Sequence, residues 1–309
     1  MKKIINCLLV SFLLAGAVFA QSARNTVIGV LKGPSGIPMA NMMESYQADY
    51  EVFAAANQLL PKLLKGEVDI GFLPPNAAAK AYNSSKGKVV IGAVCGNGML
   101  NLITKDASVH SFEDLKGKTI TVAGQGATPE YVTRLLLESY GLSEEVELDF
   151  SIPNAEIAPA LIAGKIEYAI VPEPFSTVAT TKDNNIVRAI DIQNEWAKVT
   201  GQKSYPMTVV VINAQYAKEN AKAVKSFLNA YQKSIKWTVA NPKEAGELVE
   251  KHELGLTAAV VQKAIPNCAF TYNTAKKSRK DIEELLNVFV KFDSASIGGE
   301  LPSDGFYFN

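Results

Sequence analysis

The chain has 309 residues, 48% apolar and 20% charged, with 31 basic and 31 acidic side chains. That balance is the ordinary one of a soluble globular protein long enough for two cores, and it lacks the basic excess that a nucleic-acid partner demands. The first 20 residues stand apart. Lys2 and Lys3 precede a mostly apolar run from Ile4 to Val18, and Val18-Phe19-Ala20 supplies tolerated residues at −3 and −1 of a cleavage site. A secretory signal peptide is expected over residues 1–20, because the run is shorter than the roughly 20 residues of a membrane span. Cys7 lies too early in it for lipid attachment. Removal after Ala20 takes Lys+Arg from 31 to 29 against 31 acidic residues, a net charge of −2, in a periplasmic or otherwise extracytoplasmic compartment. No later stretch is long and apolar enough to cross a bilayer.

In chain order, Thr26–Lys32 reads as a strand that ends in GPSGIP (Gly33 to Pro38) and turns into a helix near Met39–Ser45. A strand at Tyr50–Ala54, a helix stopped by Gly66, a strand at Val68–Leu73 and an alanine-rich helix from Pro75 follow. Lys88–Val94 and Leu100–Thr104 are strands, and Ser111 with Asp114 resembles a helix N-cap arrangement. The strand Thr119–Ala123 ends in GQGATP (Gly124 to Pro129), where Thr128 is expected to cap a helix beginning at Pro129. Strands at Val146–Phe150, Ile166–Val171 and Ile186–Ile190 alternate with helices near Ala155–Ile162, Phe175–Thr180 and Asn194–Val199. Met207–Ile212 is β-prone. Helices are expected over Ala221–Val239, Pro242–Lys251, Thr257–Ala264 and Ser278–Phe292, with Asn241-Pro242-Lys243-Glu244 as a capped start.

The pattern is used twice. At an offset of 98 residues, Leu64/Ile162, Gly66/Gly164, Val68/Ile166, Asp69/Glu167 and Pro74/Pro172 align, and the two Gly-rich turns align upstream in the same order. Two α/β lobes facing each other across a cleft are expected. The strands near Leu102–Thr104 and Met207–Val209 join them, so one lobe is discontinuous (26–103 with 210–309) and the other spans 104–209.

Catalysis finds little support. His110 and His252 are the only histidines, neither beside a nucleophile, and no His/Cys/Asp/Glu cluster has metal-site spacing. No G-x-S-x-G elbow is present. Gly124-x-Gly126 with Asp149 downstream is only part of a dinucleotide fingerprint, since Pro129 stands where its third glycine belongs. No cofactor is expected. Cys95 and Cys268 either bridge in an oxidising compartment or remain buried thiols. The basic run Lys276, Lys277, Arg279 and Lys280 reads as a solvated face or as a surface for a membrane partner. The Gly-rich loops either only make turns or bind a ligand through backbone N–H groups and a hydroxyl at a helix start. On the second reading the candidates are Ser35, Gly36, Asn76, Gln125, Gly126 and Thr128, with Glu173 as an acceptor for a cationic or N–H group and Tyr131 or Phe175 as a ring face. These loops carry no Arg or Lys, which favours a flat amino-heterocycle over a small oxyanion.

The leader, the L-x-x-G-x-V-D-I strand entry (Leu63 to Ile70), DLKGKTI (Asp114 to Ile120), GQGATPEYV (Gly124 to Val132) and PEPF (Pro172 to Phe175) together resemble the solute-binding proteins of ABC importers. Within them the resemblance is to the nitrate/sulfonate/taurine and thiamine-pyrimidine-precursor group. The resemblance implies a two-lobed type II periplasmic-binding fold, a small-molecule ligand held at the interlobe cleft by hinge closure, and a permease with its ATPase as partners of a monomeric receptor. A fungal enzyme of this superfamily carries a cysteine-rich motif that this chain lacks. An enzyme on the same fold and a secreted sensor that presents its ligand to a receptor are the alternatives.

Overall fold

The structure, a computed structural model, describes residues 25–309; the expected leader and its cleavage site lie outside the described residues. The chain first lays down β1 (Val27–Leu31), α1 (Ile37–Ser45), β2 (Asp49–Phe53), α2 (Ala56–Lys65), β3 (Ile70–Leu73), α3 (Pro75–Ser85) and β4 (Val89–Asn97). It then passes through Gly98 and Met99 into β5 (Leu100–Thr104), β6 (Thr119–Val122), α4 (Thr128–Ser139), β7 (Glu147–Asp149), α5 (Asn154–Ile162), β8 (Tyr168–Pro172), α6 (Phe175–Lys182), β9 (Val187–Asp191) and α7 (Ile192–Thr200). Residues 201–205 lead back to β10 (Pro206–Asn213), α8 (Ala214–Glu219), α9 (Ala221–Ala240), α10 (Pro242–Lys251), α11 (Ala258–Ala264), β11 (Phe270–Thr274) and α12 (Arg279–Asp293).

Two sheets result, ordered β11-β4-β10-β3-β1-β2 and β7-β6-β8-β5-β9. Their shared part has one topology. In each, three parallel strands (β2-β1-β3 or β7-β6-β8) are followed by one antiparallel strand (β10 or β5), and then by a strand antiparallel to that one (β4 or β9). The antiparallel strand is in each case the one the chain forms on arriving from the other sheet. The crossings themselves lie at Gly98–Met99 and at residues 201–205, ahead of β5 and β10, each of which pairs along its length within one sheet. Asn97 and Pro206 are paired, so the two crossings run side by side.

The elements follow from their patterns. The run IGFL of β3 is buried throughout, as a central strand covered on both faces requires. In α9 the residues Val224, Phe227, Leu228, Tyr231 and Ile235 form the buried stripe, and they pack with Met39 and Met42 of α1 on one face of the first sheet. The other face of that sheet is covered by α2, α3 and α12, whose core residues Leu59, Leu63 and Phe289 join those of α4 and α7 in one apolar cluster.

Three local expectations are revised. The helix expected from Pro129 begins at Thr128, whose hydroxyl makes no capping bond. Asn241 does not cap α10 through its side chain, because its Nδ2 reaches back to the carbonyl of Trp237 in α9 at 2.8 Å. At Ser111 the acid is the acceptor: Asp114 Oδ2 takes the N–H groups of His110 and Ser111, each at 2.9 Å.

Candidate functional site

The strand order puts two loops at the C-terminal ends of the parallel strands in each sheet. β1 and β3 end in the first sheet at Gly33–Gly36 and Pro74–Asn76; β6 and β8 end in the second at Gly124–Thr128 and Glu173–Phe175. Each loop runs directly into a helix (α1, α3, α4 or α6), so the parallel strands of each sheet lead to helix N-termini at their C-terminal ends.

Two of these loops touch. Asn76 Nδ2, at the start of α3, donates to the carbonyl of Gly126 at 2.9 Å. The GQGATP loop is held in shape to receive it. Gly124 N donates to Asn154 Oδ1 at 2.8 Å, and Gly126 N donates to Glu130 Oε2 at 2.7 Å. Gly126 has φ +71°, a left-handed backbone that disfavours any residue with a Cβ. Arg134 Nε occupies Glu130 Oε1 at 2.8 Å. Asn76 and Thr128 are buried, and Asn76 Oδ1 and Thr128 Oγ1 have no hydrogen-bond partner. Gln125 is exposed at the loop tip.

The first loop forms a short turn at Pro34–Gly36, in which Gly36 is buried and a Cβ there would stand 2.4 Å from the carbonyl oxygen of Leu31. Ser35 shares a small cavity of about 10 Å³ with Cys95, Met99, Thr208, Tyr231 and Phe270. Burial pushes the Cys95 thiol up to about 12. Cys95 and Cys268 are both free and buried, so no bridge joins them. A cavity of about 620 Å³, lined by Lys65, Asp69, Lys88 and Tyr216 among others, lies at the other end of β3, where that strand begins.

The remaining candidates are placed differently from the sequence expectation. Glu173 is fully buried, and its acceptors are taken from within the protein. Oε1 receives Arg188 Nε at 3.1 Å and Nη2 at 2.8 Å, while Oε2 receives the N–H of Thr177 at 3.1 Å. Two arginines from outside the loop sequences are each committed to an acid, Arg188 of β9 to Glu173 of the β8 loop and Arg134 to Glu130 within α4. Tyr131 is not offered as a ring face. Its ring packs against Phe289 of α12 at 4.6 Å between centroids, and its hydroxyl donates to Asp293 Oδ2 at 3.2 Å. Burial and the Asp293 carboxylate raise its pKa above the usual phenol value. Phe175 packs on the apolar cluster of Ile103, Val171 and Ile186 in the second lobe. The structure thus brings Asn76, Gly126 and Thr128 together and turns Glu173, Tyr131 and Phe175 to internal contacts.

Sequence reasoning missed Arg188, Glu130 and Asp293. Glu130 carried a signal, since an acid at the third helical position commonly takes N–H groups at a helix start. Arg188 carried none, because its pairing depends on β8 and β9 flanking β5.

No curated protein matches the chain by sequence. Among solved structures, an ABC transporter protein from Parabacteroides distasonis is similar at 26% identity and TM-score 0.80, over 92% of this chain and 98% of that one. The periplasmic aliphatic sulphonate binding protein SsuA from Escherichia coli matches at 17% identity and TM-score 0.69, over 86% of each chain. The periplasmic nitrate-binding protein NrtA from Synechocystis PCC 6803 matches at 15% identity and TM-score 0.62, over 88% of this chain and 83% of that one. The fold is thereby that of the type II periplasmic binding proteins. Residues 44–245 match the family described as NMT1/THI5 like, and with most of its length inside that match the chain belongs to this family.

Proposed function

We propose that the protein is the extracytoplasmic solute receptor of an ABC import system. It captures one small molecule between its lobes and delivers it, as a monomer, to a membrane permease driven by an ATPase. The observation that carries this reading is the bond from Asn76 Nδ2 to the Gly126 carbonyl. It joins loops from two separate sheets at a point where helix N-termini converge, which is where a solute touching both lobes favours the closed arrangement over the open one.

One lobe of this reading is discontinuous. The first comprises both segments that build the six-stranded sheet, and the second comprises the segment between Gly98 and residue 205. The solute is a flat amino-heterocycle such as a thiamine-pyrimidine precursor, ahead of the sulphonate or nitrate named for two of the fold relatives. Catalysis has no part in it. The leader over residues 1–20 sends the chain out of the cytoplasm and is cleaved after Ala20.

Native mass spectrometry of protein purified without added ligand tests the capture. One retained small molecule, lost on unfolding and recovered chemically unchanged, is the expected result; a product released by turnover would replace the receptor with an enzyme. Intact-mass analysis from the native envelope is expected to find a chain beginning at Gln21.

A further inference from the structure

A carbonyl oxygen accepts and never donates. The contact between Asn76 and Gly126 therefore fixes the sense of the amide: Nδ2 faces Gly126 O at 2.9 Å, and Oδ1 is the end left for something else. Oδ1 is a buried acceptor without a partner on a residue 6% exposed. Two residues beyond Gly126, Thr128 Oγ1 is likewise buried and unpartnered, on a residue 1% exposed. Buried polar atoms of native proteins are nearly always paired, so two orphans flanking one interlobe contact identify what a solute must supply.

We infer that Asn76 reads hydrogen-bond polarity. Its Oδ1 accepts an N–H or O–H from the solute, the Thr128 hydroxyl serves an adjacent atom of either sense, and donor-free oxyanions are selected against. The inference rests on the reading that the solute is held between the lobes. α3 and α4 start without a side-chain cap, so their first N–H groups suit acceptor atoms of the solute. An oxyanion without a proton satisfies those N–H groups but sets oxygen against oxygen at Asn76. The nearby cations do not offset this, because Arg134 is committed to Glu130 and Arg188 to Glu173. A solute with a donor beside an acceptor satisfies both kinds of group. Asn76 thus becomes a specificity-determining residue, distinct from the helix N-termini that attract any acceptor.

The test is calorimetry with three probes: 4-aminopyrimidine, which carries donor and acceptor, and nitrate and ethanesulfonate, which carry no donor. Wild type is expected to bind the aminopyrimidine about tenfold or more tighter than either anion. Asn76→Leu is expected to lose about tenfold or more for the aminopyrimidine while the anions change little, so that the selectivity collapses. Thr128→Val, which keeps the shape of the side chain, is expected to weaken the aminopyrimidine without favouring any donor-free probe. Either anion binding wild type more tightly than the aminopyrimidine overturns the inference, as does an equal loss for all three in Asn76→Leu. So does a molecule retained through native mass spectrometry that carries no N–H or O–H. A protein that retains no molecule and binds none of the probes fails the capture reading itself, and this inference falls with it.

Discussion

Glu173 shows how a residue can be correctly located in the sequence and still be assigned the wrong partner. Its place between Pro172 and Pro174, at the end of β8, was legible from the proline spacing. Its partner was not, because Arg188 reaches it only through the side-by-side packing of β8, β5 and β9. The carboxylate is fully buried, whereas the Arg188 side chain is 31% exposed. Removing the arginine therefore costs more than neutralising the acid, since Arg188→Met strands a charge that water cannot reach. We expect about 3 kcal/mol of lost stability for Arg188→Met, the lower end for a buried pair because the arginine is partly hydrated. Glu173→Gln, which keeps one acceptor, is expected to lose about 1–2 kcal/mol. Urea denaturation of both variants and of the double variant checks the order; a double variant no more stable than Arg188→Met would show that the stranded carboxylate is not the cause. The two thiols give a second expectation at this scale. Burial pushes Cys95 up to about 12 and raises Cys268 further, the latter also through the charge of Glu173. Folded protein at pH 8 is expected to resist alkylation by iodoacetamide at both sites, and unfolded protein to react fully. Fast labelling of native protein would place at least one thiol in a solvent-open position.

At the scale of elements, period and punctuation were enough for the long pieces. α9, α10 and β5 lie where the apolar spacing puts them, because burial on one face leaves a regular pattern in the sequence. β11 was missed. In FTYNT only Phe270 and Tyr272 alternate with polar residues, a signal too short to separate a strand from a loop; both rings pack on the apolar cluster of the first sheet, where β4 offers the segment an edge. The crossing at Gly98 was also hidden, since a lone glycine between two strands reads as an ordinary turn. In the fold a Cβ at Gly98 would lie 1.8 Å from Gln193 Oε1 and 2.6 Å from the ring of Tyr205, which is itself fully buried against Trp196. Gly98→Ala must displace a packed aromatic, and a loss of about 1–3 kcal/mol with a lowered melting temperature is expected. An unchanged melting temperature would show that the crossing yields freely. Asp106 ties the loop after β5 to β6 and β8. It accepts from Ser108 Oγ at 2.5 Å, from Ser108 N at 3.0 Å, from Tyr168 OH at 2.8 Å and from Lys118 at 3.5 Å. These bonds hold its carboxyl well below the usual carboxylate range, the Ser108 hydroxyl contributing most. A depressed folded-state value means the stabilisation is fully present above the unfolded value near 4 and fades as pH falls below it toward the folded value. Asp106→Asn is therefore expected to be less stable than wild type at pH 7, with the gap narrowing below about pH 4. A gap that stays constant across that range would remove ionisation from the explanation.

At the scale of the whole molecule, the duplicated motif at Leu64–Pro74 and Ile162–Pro172 announced two sheets of like topology, and β3 and β8 do hold equivalent places. How the sheets meet was not in the motif, because contacts between lobes join residues far apart in sequence. Besides Asn76 and Gly126, the lobes touch through α4 and α12, where Tyr131 packs on Phe289 and bonds Asp293, and Lys291 pairs with Glu138 at 2.7 Å. The lysine and glutamate are each nearly half exposed, so that pair contributes little. Tyr131 is the stronger contact: its ring is buried and its hydroxyl meets a carboxylate, although α4 and α12 lie in different lobes. If these contacts exist only in the closed arrangement, weakening them shifts the molecule toward the open one, and by linkage lowers solute affinity through the same equilibrium. Tyr131→Phe keeps the ring and removes a hydrogen bond of about 1 kcal/mol, a factor of about five in the closed-to-open ratio. Tyr131→Ala removes the ring as well and should shift the ratio by about a hundredfold or more. Small-angle scattering of solute-free protein is expected to give a radius of gyration that rises from wild type through Tyr131→Phe to Tyr131→Ala, with secondary structure retained by circular dichroism. Three superimposable scattering curves, with all variants folded, would assign Tyr131 to a contact that persists when the lobes part, and the closing equilibrium would then have to be governed from the Asn76 side alone.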